Sequence, residues 1–224
     1  MRPTRNAGRW LTDNLFFIIK VDTITCIKKL GYVGTLTFAT IDKKGHPQAR
    51  SISAIHYEPD AIYFYTARGK NFCQQLLADG HVQILALTKY KEMIRLSAVA
   101  KPVPDDEQEH WKDVIFEEQP YLVNVYPGET RNIGIIFCIR DAQIEYFFLG
   151  SHPIDREYLT MGNAEPEQKG FEITNSCIAC GTCQTVCPQG CIDAGEIYHI
   201  QSHHCLHCGN CFENCPVEAI IRLD

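Results

Sequence analysis

Eight cysteines toward the C-terminal end of this 224-residue chain carry its plainest chemistry. Cys177, Cys180, Cys183 and Cys187-Pro188 spell C-x2-C-x2-C-x3-C-P, and Cys205, Cys208, Cys211 and Cys215-Pro216 repeat that spacing 28 residues later. Thiolates so spaced hold iron–sulfur clusters, and in two-cluster proteins the fourth Cys of each run ligates the other cluster. The pattern assigns one [4Fe–4S] cluster to Cys177, Cys180, Cys183 and Cys215, and a second to Cys205, Cys208, Cys211 and Cys187. Structural zinc sites use two C-x2-C pairs or Cys/His mixtures instead. Paired clusters carry electrons one at a time. His203, His204 and His207 flank the second run, either as solvated polar residues or as groups that tune its cluster.

The elements that must position these cysteines are few. Residues 171–224 read as a small bacterial-type 2[4Fe–4S] ferredoxin module whose two repeats are each too short to bury a core. The clusters serve as that core, so the apo form of the module is expected to be unfolded. Residues 153–170, poor in apolar side chains and containing Gly162, Pro166 and Gly170, read as a linker. Residues 31–152 have a different texture. Strands are expected over 34–41, 46–57, 61–66, 81–87 and 93–103, with a last hairpin of 132–139 and 143–149. Turns fall at 42–45 and 58–60, and short helices at 71–78 and 105–118. Six or seven short antiparallel strands with few helices indicate a small barrel, giving an α+β, mainly antiparallel β chain. Residues 1–30 read as an extension followed by a helix over 12–30, with Thr12 or Asp13 as cap.

Composition sets further bounds. The net charge is −6, and residues 171–224 carry six acids against the single base Arg222. An acidic module repels nucleic acid and suits a basic docking patch on a redox partner. Twelve cysteines would suit a secreted disulfide scaffold, but ferredoxin-type runs need reduced thiolates, which points to the cytoplasm. Cys26, Cys73, Cys138 and Cys191 lie outside the pattern and read as small buried hydrophobes, with Cys191 near a cluster. The apolar run at 15–19 is far shorter than the ~20 residues of a membrane helix, so no membrane is expected as partner.

The segment Leu36–Ile52 (LTFATIDKKGHPQARSI) followed by Ile62–Lys70 (IYFYTARGK) gives a strand, a Gly-x-Pro turn, a strand bearing Arg, and a strand ending in Tyr-Thr before a basic loop. In this order the chain resembles the pyridoxamine 5'-phosphate oxidase-like family of FMN-binding split barrels, over about residues 30–150. With its C-terminal clusters it resembles anaerobe proteins that combine such a barrel with a two-cluster ferredoxin. The resemblance implies FMN at the interface of a homodimer. Arg50 and Lys70 would pair with its phosphate, Ser51 and Thr66 would hydrogen-bond to phosphate or ring, and Asn71 would start a helix whose amides favour an anion. Ile52, Tyr65 and Arg68 complete the implied cofactor-binding set. Split barrels of this sort are also associated with deazaflavin or haem; His46, His56 and His81 are undistinguished as haem ligands. The portion that carries substrate-phosphate residues in the true oxidases looks to be lacking here, so the vitamin B6 reaction is not carried over.

These readings combine into an FMN- and iron–sulfur-dependent oxidoreductase that passes electrons between two clusters and a flavin serving a small-molecule acceptor. An external ferredoxin-like donor or acceptor protein is expected, because neither a G-x-G-x-x-G fingerprint nor a P-loop is present. The alternative is a non-catalytic electron carrier or redox sensor that docks on a larger enzyme. Tyr121, Tyr126, Pro127, Gly128 and Arg131 form either a pocket lining or a loop that packs its tyrosines on the barrel.

Overall fold

The computed structural model describes residues 21–223. Helix α1 (Thr23–Val33) starts where the Asp22 side chain accepts the Thr25 N–H at 2.7 Å, and ends at Gly34, whose φ of 73° admits the left-handed turn. It buries Cys26, Ile27 and Leu30. The helix expected over 12–30 is thus capped by Asp22 in its described part; its residues before 21 lie outside the described ones. Strand β1 (Leu36–Ile41) returns as β2 (Pro47–Ile52) through Asp42, whose carboxylate accepts the N–H groups of Lys44 and His46.

The strand expected over 46–57 is two strands. β2 stops at Ile52, and β3 (Ile55–Glu58) joins a different sheet. Both Ala54 and Ile55 are buried, which interrupts the alternation, and Ala54 offers its carbonyl to Tyr65 N–H. This corner lets the chain change sheets and close around a core. β4 (Ala61–Ala67) is buried at every position, as befits a strand packed on both faces. Then come α2 (Asn71–Ala78), β5 (His81–Leu87), β6 (Glu92–Val99), the short β7 (Lys101–Pro102), α3 (Gln108–Glu118), α4 (Tyr121–Val125), β8 (Gly134–Ile139) and β9 (Ala142–Phe148).

β10 (Asp155–Met161) corrects the expected linker over 153–170. It pairs antiparallel with β9 along its whole length. Its polar composition hides this role: Leu159 and Met161 reach the barrel core, but Glu157 shares their face and the opposite face carries the buried Arg156. The sheets are six-stranded, in the order β10-β9-β6-β5-β1-β2, and four-stranded, in the order β3-β4-β8-β7. Together they form a split barrel. Phe38, Phe64, Phe72 and Phe137 meet between them, with ring centroids 5.0 Å apart for Phe38–Phe64 and 5.7 Å for Phe64–Phe137. A second core lies under α3 and α4 and gathers Tyr63, Tyr65, Ile115, Phe116 and Ile136.

The C-terminal module holds β11 (Gly170–Ile173), α5 (Thr182–Val186), β12 (Ile192–Asp193), β13 (His199–Ile200), α6 (Asn210–Glu213) and β14 (Ile220–Leu223). β11 pairs with β14 and β12 with β13, so each ribbon closes one end. Ile173, Ile192, Ile200 and Ile220 are its main aliphatic core residues, and cysteines supply the rest.

Two expectations test this packing. Phe38 is fully buried and makes edge contacts with both Phe64 and Phe72. Phe38→Ala should lower barrel stability by about 3–5 kcal/mol in urea unfolding. His56 joins β3 to α3: Nδ1 lies 2.9 Å from Glu118 and Nε2 2.9 Å from Glu58. Burial opposes its charge, but the two carboxylates outweigh burial and raise its pKa. That stabilisation is fully present below the unfolded value of about 6.5 and is lost as pH rises through the raised folded value. His56→Gln should therefore cost more stability near pH 5.5 than near pH 8.5, whereas an equal cost at both would refute the linkage.

Candidate functional site

The two halves of the cysteine module repeat in backbone as well as in sequence. Ala179 and His207, 28 residues apart, have φ of 55° and 58°; Gly181 and Gly209 have 79° and 80°; Gly190 and Glu218 have 60° and 51°. Non-glycine residues rarely adopt this region, and such strain is held where function over-determines it. Here it turns amides toward sulfur: Ala179 N–H donates to Cys177 Sγ and His207 N–H to Cys205 Sγ, both at 3.4 Å, and Ala219 N–H to Cys215 Sγ at 3.2 Å. Amides aimed at thiolates stabilise their charge and tune any cluster they hold.

The cysteines surround two small cavities, and the runs cross. Cys177, Cys180, Cys183 and Cys215 line one of them. Cys205, Cys208, Cys211 and Cys187 line the other. The donor set suits iron–sulfur clusters: four thiols per cavity, apolar walls from Ile173 and Ile220 on one side and Ile192 and Ile200 on the other, and N–H donors to sulfur. Cys180 and Cys208 are exposed, so each cavity reaches the surface at one ligand position.

Cys191 is a fifth cysteine in the second cavity. It is buried, and its Sγ stands 3.6 Å from Cys187 Sγ. Hydrogen bonding to Cys205, together with burial, pushes its thiol far up. The same hydrogen bond pulls Cys205 below the ordinary thiol range, helped by the His207 N–H and the charge of Arg156. Cys26, Cys73 and Cys138 are buried in the barrel, and burial pushes Cys26 up to about 12.

The residues implied for a flavin separate into groups. Arg50 lies on the core-side face of β2 at the sheet edge. Its Nη1 donates to Thr40 Oγ1 at 2.7 Å, its Nη2 to Gln75 Oε1 at 3.0 Å, and its guanidinium lies 4.7 Å over the Phe72 ring. Partial burial lowers its pKa, yet an arginine remains charged. Phe72 lies in the first turn of α2 and Gln75 in the next, so through Phe72 Arg50 sits beside the end of the helix where free amides favour an anion. Lys70 precedes that helix without a side-chain cap, and Asn71 is its first residue; both side chains are exposed.

Thr66 is 2% exposed, and its Oγ1 has no hydrogen-bond partner among the described residues. A buried hydroxyl without a protein partner is uncommon and calls for an ordered water or a polar ligand. Arg68 Nη1 donates to the Gly134 carbonyl. Ile52 packs against the main core. Two residues point elsewhere: Ser51, next to Arg50 in a strand, faces the other side of the sheet, and Tyr65 packs into the second core with its hydroxyl on the Arg131 carbonyl. Thr40, Phe72 and Gln75 orient Arg50 but were not among the sequence candidates; the helical spacing of 72 and 75 on the face toward β1 was the available signal.

Other candidates are committed to packing. Arg131 pairs with Asp113 at 2.5 Å and Glu109 at 3.0 Å, Tyr121 OH bonds Ser53 Oγ, and Tyr126 packs on Tyr65. Both ring nitrogens of His56 are occupied by carboxylates. Among the described residues, no helix is long and apolar enough to cross a membrane.

Comparisons with known proteins agree with this division. Residues 28–120 match the family described as Pyridoxamine 5'-phosphate oxidase, and residues 176–219 match a 4Fe-4S dicluster domain. Similar solved structures include a NimC/NimA family protein from Clostridium acetobutylicum, 19% identical, with a TM-score of 0.48 over 60% of this chain and 87% of that one. A heme binding protein from Mycobacterium smegmatis is 13% identical, with a TM-score of 0.50 over 62% of this chain and 59% of that one. A pyridoxamine 5'-phosphate oxidase-related, FMN binding protein from Nostoc punctiforme is 14% identical, with a TM-score of 0.41 over 65% of this chain and 93% of that one. At these identities the likeness is one of fold. No curated protein matches the chain.

The crossed cavities make a direct prediction. Cys215→Ala should remove one four-iron cluster, about half of the iron, while Cys191→Ala should keep about eight iron atoms per chain. Iron and sulfide quantification of anaerobically purified protein reads both.

Proposed function

We propose that this chain, a pyridoxamine 5'-phosphate oxidase-family domain at residues 28–120 followed by a 4Fe-4S dicluster domain at residues 176–219, is a redox protein passing electrons between two [4Fe–4S] clusters and a flavin. The observation that carries this reading is the pair of crossed four-cysteine cavities, beside a barrel that presents a charged cradle at the start of α2. Bound FMN would supply conversion between one-electron and two-electron chemistry. Everything else is the task of this chain's residues.

Arg50 is suited to a phosphate because its guanidinium is already fixed by Thr40 and Gln75 and keeps N–H groups beyond those bonds that can donate to an oxyanion. The α2 amides and Lys70 add positive potential from the same direction, and Thr66 offers a buried hydroxyl. Ser51 and Tyr65 take no part in the phosphate cradle in this reading. A second copy of the chain would complete the flavin pocket. The outer face of the β5–β1–β2 end of the six-stranded sheet supports this, because Ile41, Leu85 and Leu87 stand exposed there. The module's net charge of −5 over residues 171–224 suits an external electron-transfer protein with a basic docking face. The acceptor is a small molecule, reduced or oxidised at the flavin.

Anaerobic purification with quantification of iron, sulfide and released flavin tests the reading. About eight iron atoms and one FMN per chain are expected. Loss of the charged hydrogen bonds in Arg50→Ala, each worth about 1.5–3 kcal/mol, should weaken FMN binding about 10- to 100-fold without changing the iron content. Eight iron atoms without flavin in the native protein would leave the electron carrier or redox sensor that docks on a larger enzyme.

A further inference from the structure

The two halves of the cysteine module differ where the module meets the barrel. The left-handed position held by Ala179 in the first loop is held by His207 in the second. The His207 ring stacks on Tyr158 of β10 with centroids 6.3 Å apart and planes 12° apart. Its other side faces Gly170, where a Cβ would stand 2.6 Å from His207 Nε2. Ile154, just before β10, is held on both its backbone groups. Its N–H donates to Gln189 Oε1 at 2.8 Å, and its carbonyl accepts from His204 Nδ1 at 2.8 Å. Gln189 and His204 flank Cys187 and Cys205, two ligand positions of the second cavity. Ile154, Arg156 and Tyr158 alternate along one face of β10, so that face meets the half of the module around Cys205.

Arg156 is the charge on that face, and it is 6% exposed. Its Nη1 bonds Glu145, and also Tyr158 OH at 3.2 Å; its guanidinium lies 4.3 Å over the Phe147 ring. Glu145 is shared with Arg95 at 3.1 Å. The register places Arg95, Glu145 and Tyr158 in one row across β6, β9 and β10. Two guanidiniums and one carboxylate leave one net positive charge. The neighbouring Lys169 and Glu167 cancel each other at 3.0 Å. From Arg156 the contacts run without a gap through Tyr158 and His207 to Cys205 Sγ.

We propose that the Arg95–Glu145–Arg156 triad sets the polarity of the relay. It places net positive charge behind the cavity of Cys187, Cys205, Cys208 and Cys211, and so raises the reduction potential there above that of the outward cavity of Cys177, Cys180, Cys183 and Cys215. The inference rests on the reading that both cavities hold clusters. Adding an electron adds negative charge, so a fixed net positive charge nearby favours the reduced form; Arg156 is buried and Glu145 largely so, whereas Arg95 is half exposed and more strongly screened. The biased step moves one electron from the outward cavity to the barrel-side cavity; no proton moves and no bond forms or breaks. A one-electron reductant docked at the outward side supplies it. Arg156 acts through the field it holds and is a positioning residue.

The test is a dithionite titration of anaerobic, cluster-loaded protein with redox mediators, followed by electron paramagnetic resonance. The native protein should show two one-electron centres of different potential. Arg156→Gln should lower the higher potential and leave the lower one in place, and Arg156→Lys should restore most of the difference. Glu145→Gln, which removes the compensating carboxylate at constant size, should move the same potential upward. Opposite shifts of one centre are not what a packing defect produces. If Glu145→Gln leaves both potentials in place, or moves the two equally, the polarity is overturned while the cluster reading stands. A native protein with fewer than two titrating centres overturns the cluster reading itself, and the polarity with it.

Discussion

Eight thiols must converge on two points inside a module of about fifty residues that has few aliphatic side chains with which to do it. That constraint organises the C-terminal module. A segment this short cannot bury enough apolar surface to hold itself, and Ile173, Ile192, Ile200 and Ile220 are spread over two small ribbons. The remaining order comes from loops bent into the left-handed region at matched positions, with amides aimed at sulfur. Such loops are costly for Ala179, His207 and Glu218, and their backbone strain is balanced only when the sulfurs are tied to a common centre. Metal loading and folding of this module are therefore expected to be one event.

The barrel solves the opposite problem. It has core to spare, with four phenylalanines meeting between its sheets, and can hold polar groups at its edge without loss of order. Arg50 shows how. Its guanidinium is anchored by Thr40, Gln75 and the Phe72 face, which leaves it fixed before any ligand arrives. A preorganised cation loses little freedom on binding a phosphate. Thr66 is the complementary case, a buried hydroxyl whose unmet hydrogen bond gives a polar ligand something to satisfy.

How much of this was legible in the sequence follows from the range of each interaction. The cysteine runs were readable because ligand spacing is local, and the crossing of the fourth cysteines follows from the repeat. Most strands were readable from β-branched and aromatic runs, β4 above all. The corner at Ser53-Ala54 was not, because a change of sheet leaves no compositional mark when Ala54 and Ile55 are both apolar. β10 is hidden in the sequence for a stronger reason: its partner is β9, and the buried Arg156 is acceptable only because Glu145 stands across the ladder. Arg50 was found, but Gln75 and Thr40 were not, since their relation to it arises from packing of α2 on β1. Tyr65 was named with Thr66, yet adjacent residues in a strand face opposite ways, and only the fold decides which faces the cradle.

The buried ion network at β10 is hard to explain as a source of stability. Taking an arginine out of water costs several kcal/mol, and a well-packed apolar residue in its place is commonly as stable or more so. A strand whose only task was to tether two domains would gain nothing from Arg156. The network makes sense if the join itself has work to do. β10 is bonded to β9 along its length and gripped at Ile154 by both Gln189 and His204, so the module cannot swing relative to the sheet without breaking several contacts at once. Rigid elements hold functional groups more accurately than loops do. A charge shifts a neighbour's potential by a defined amount only if the distance between them is fixed. The same strand therefore supplies both the charge and the rigidity that makes the charge effective.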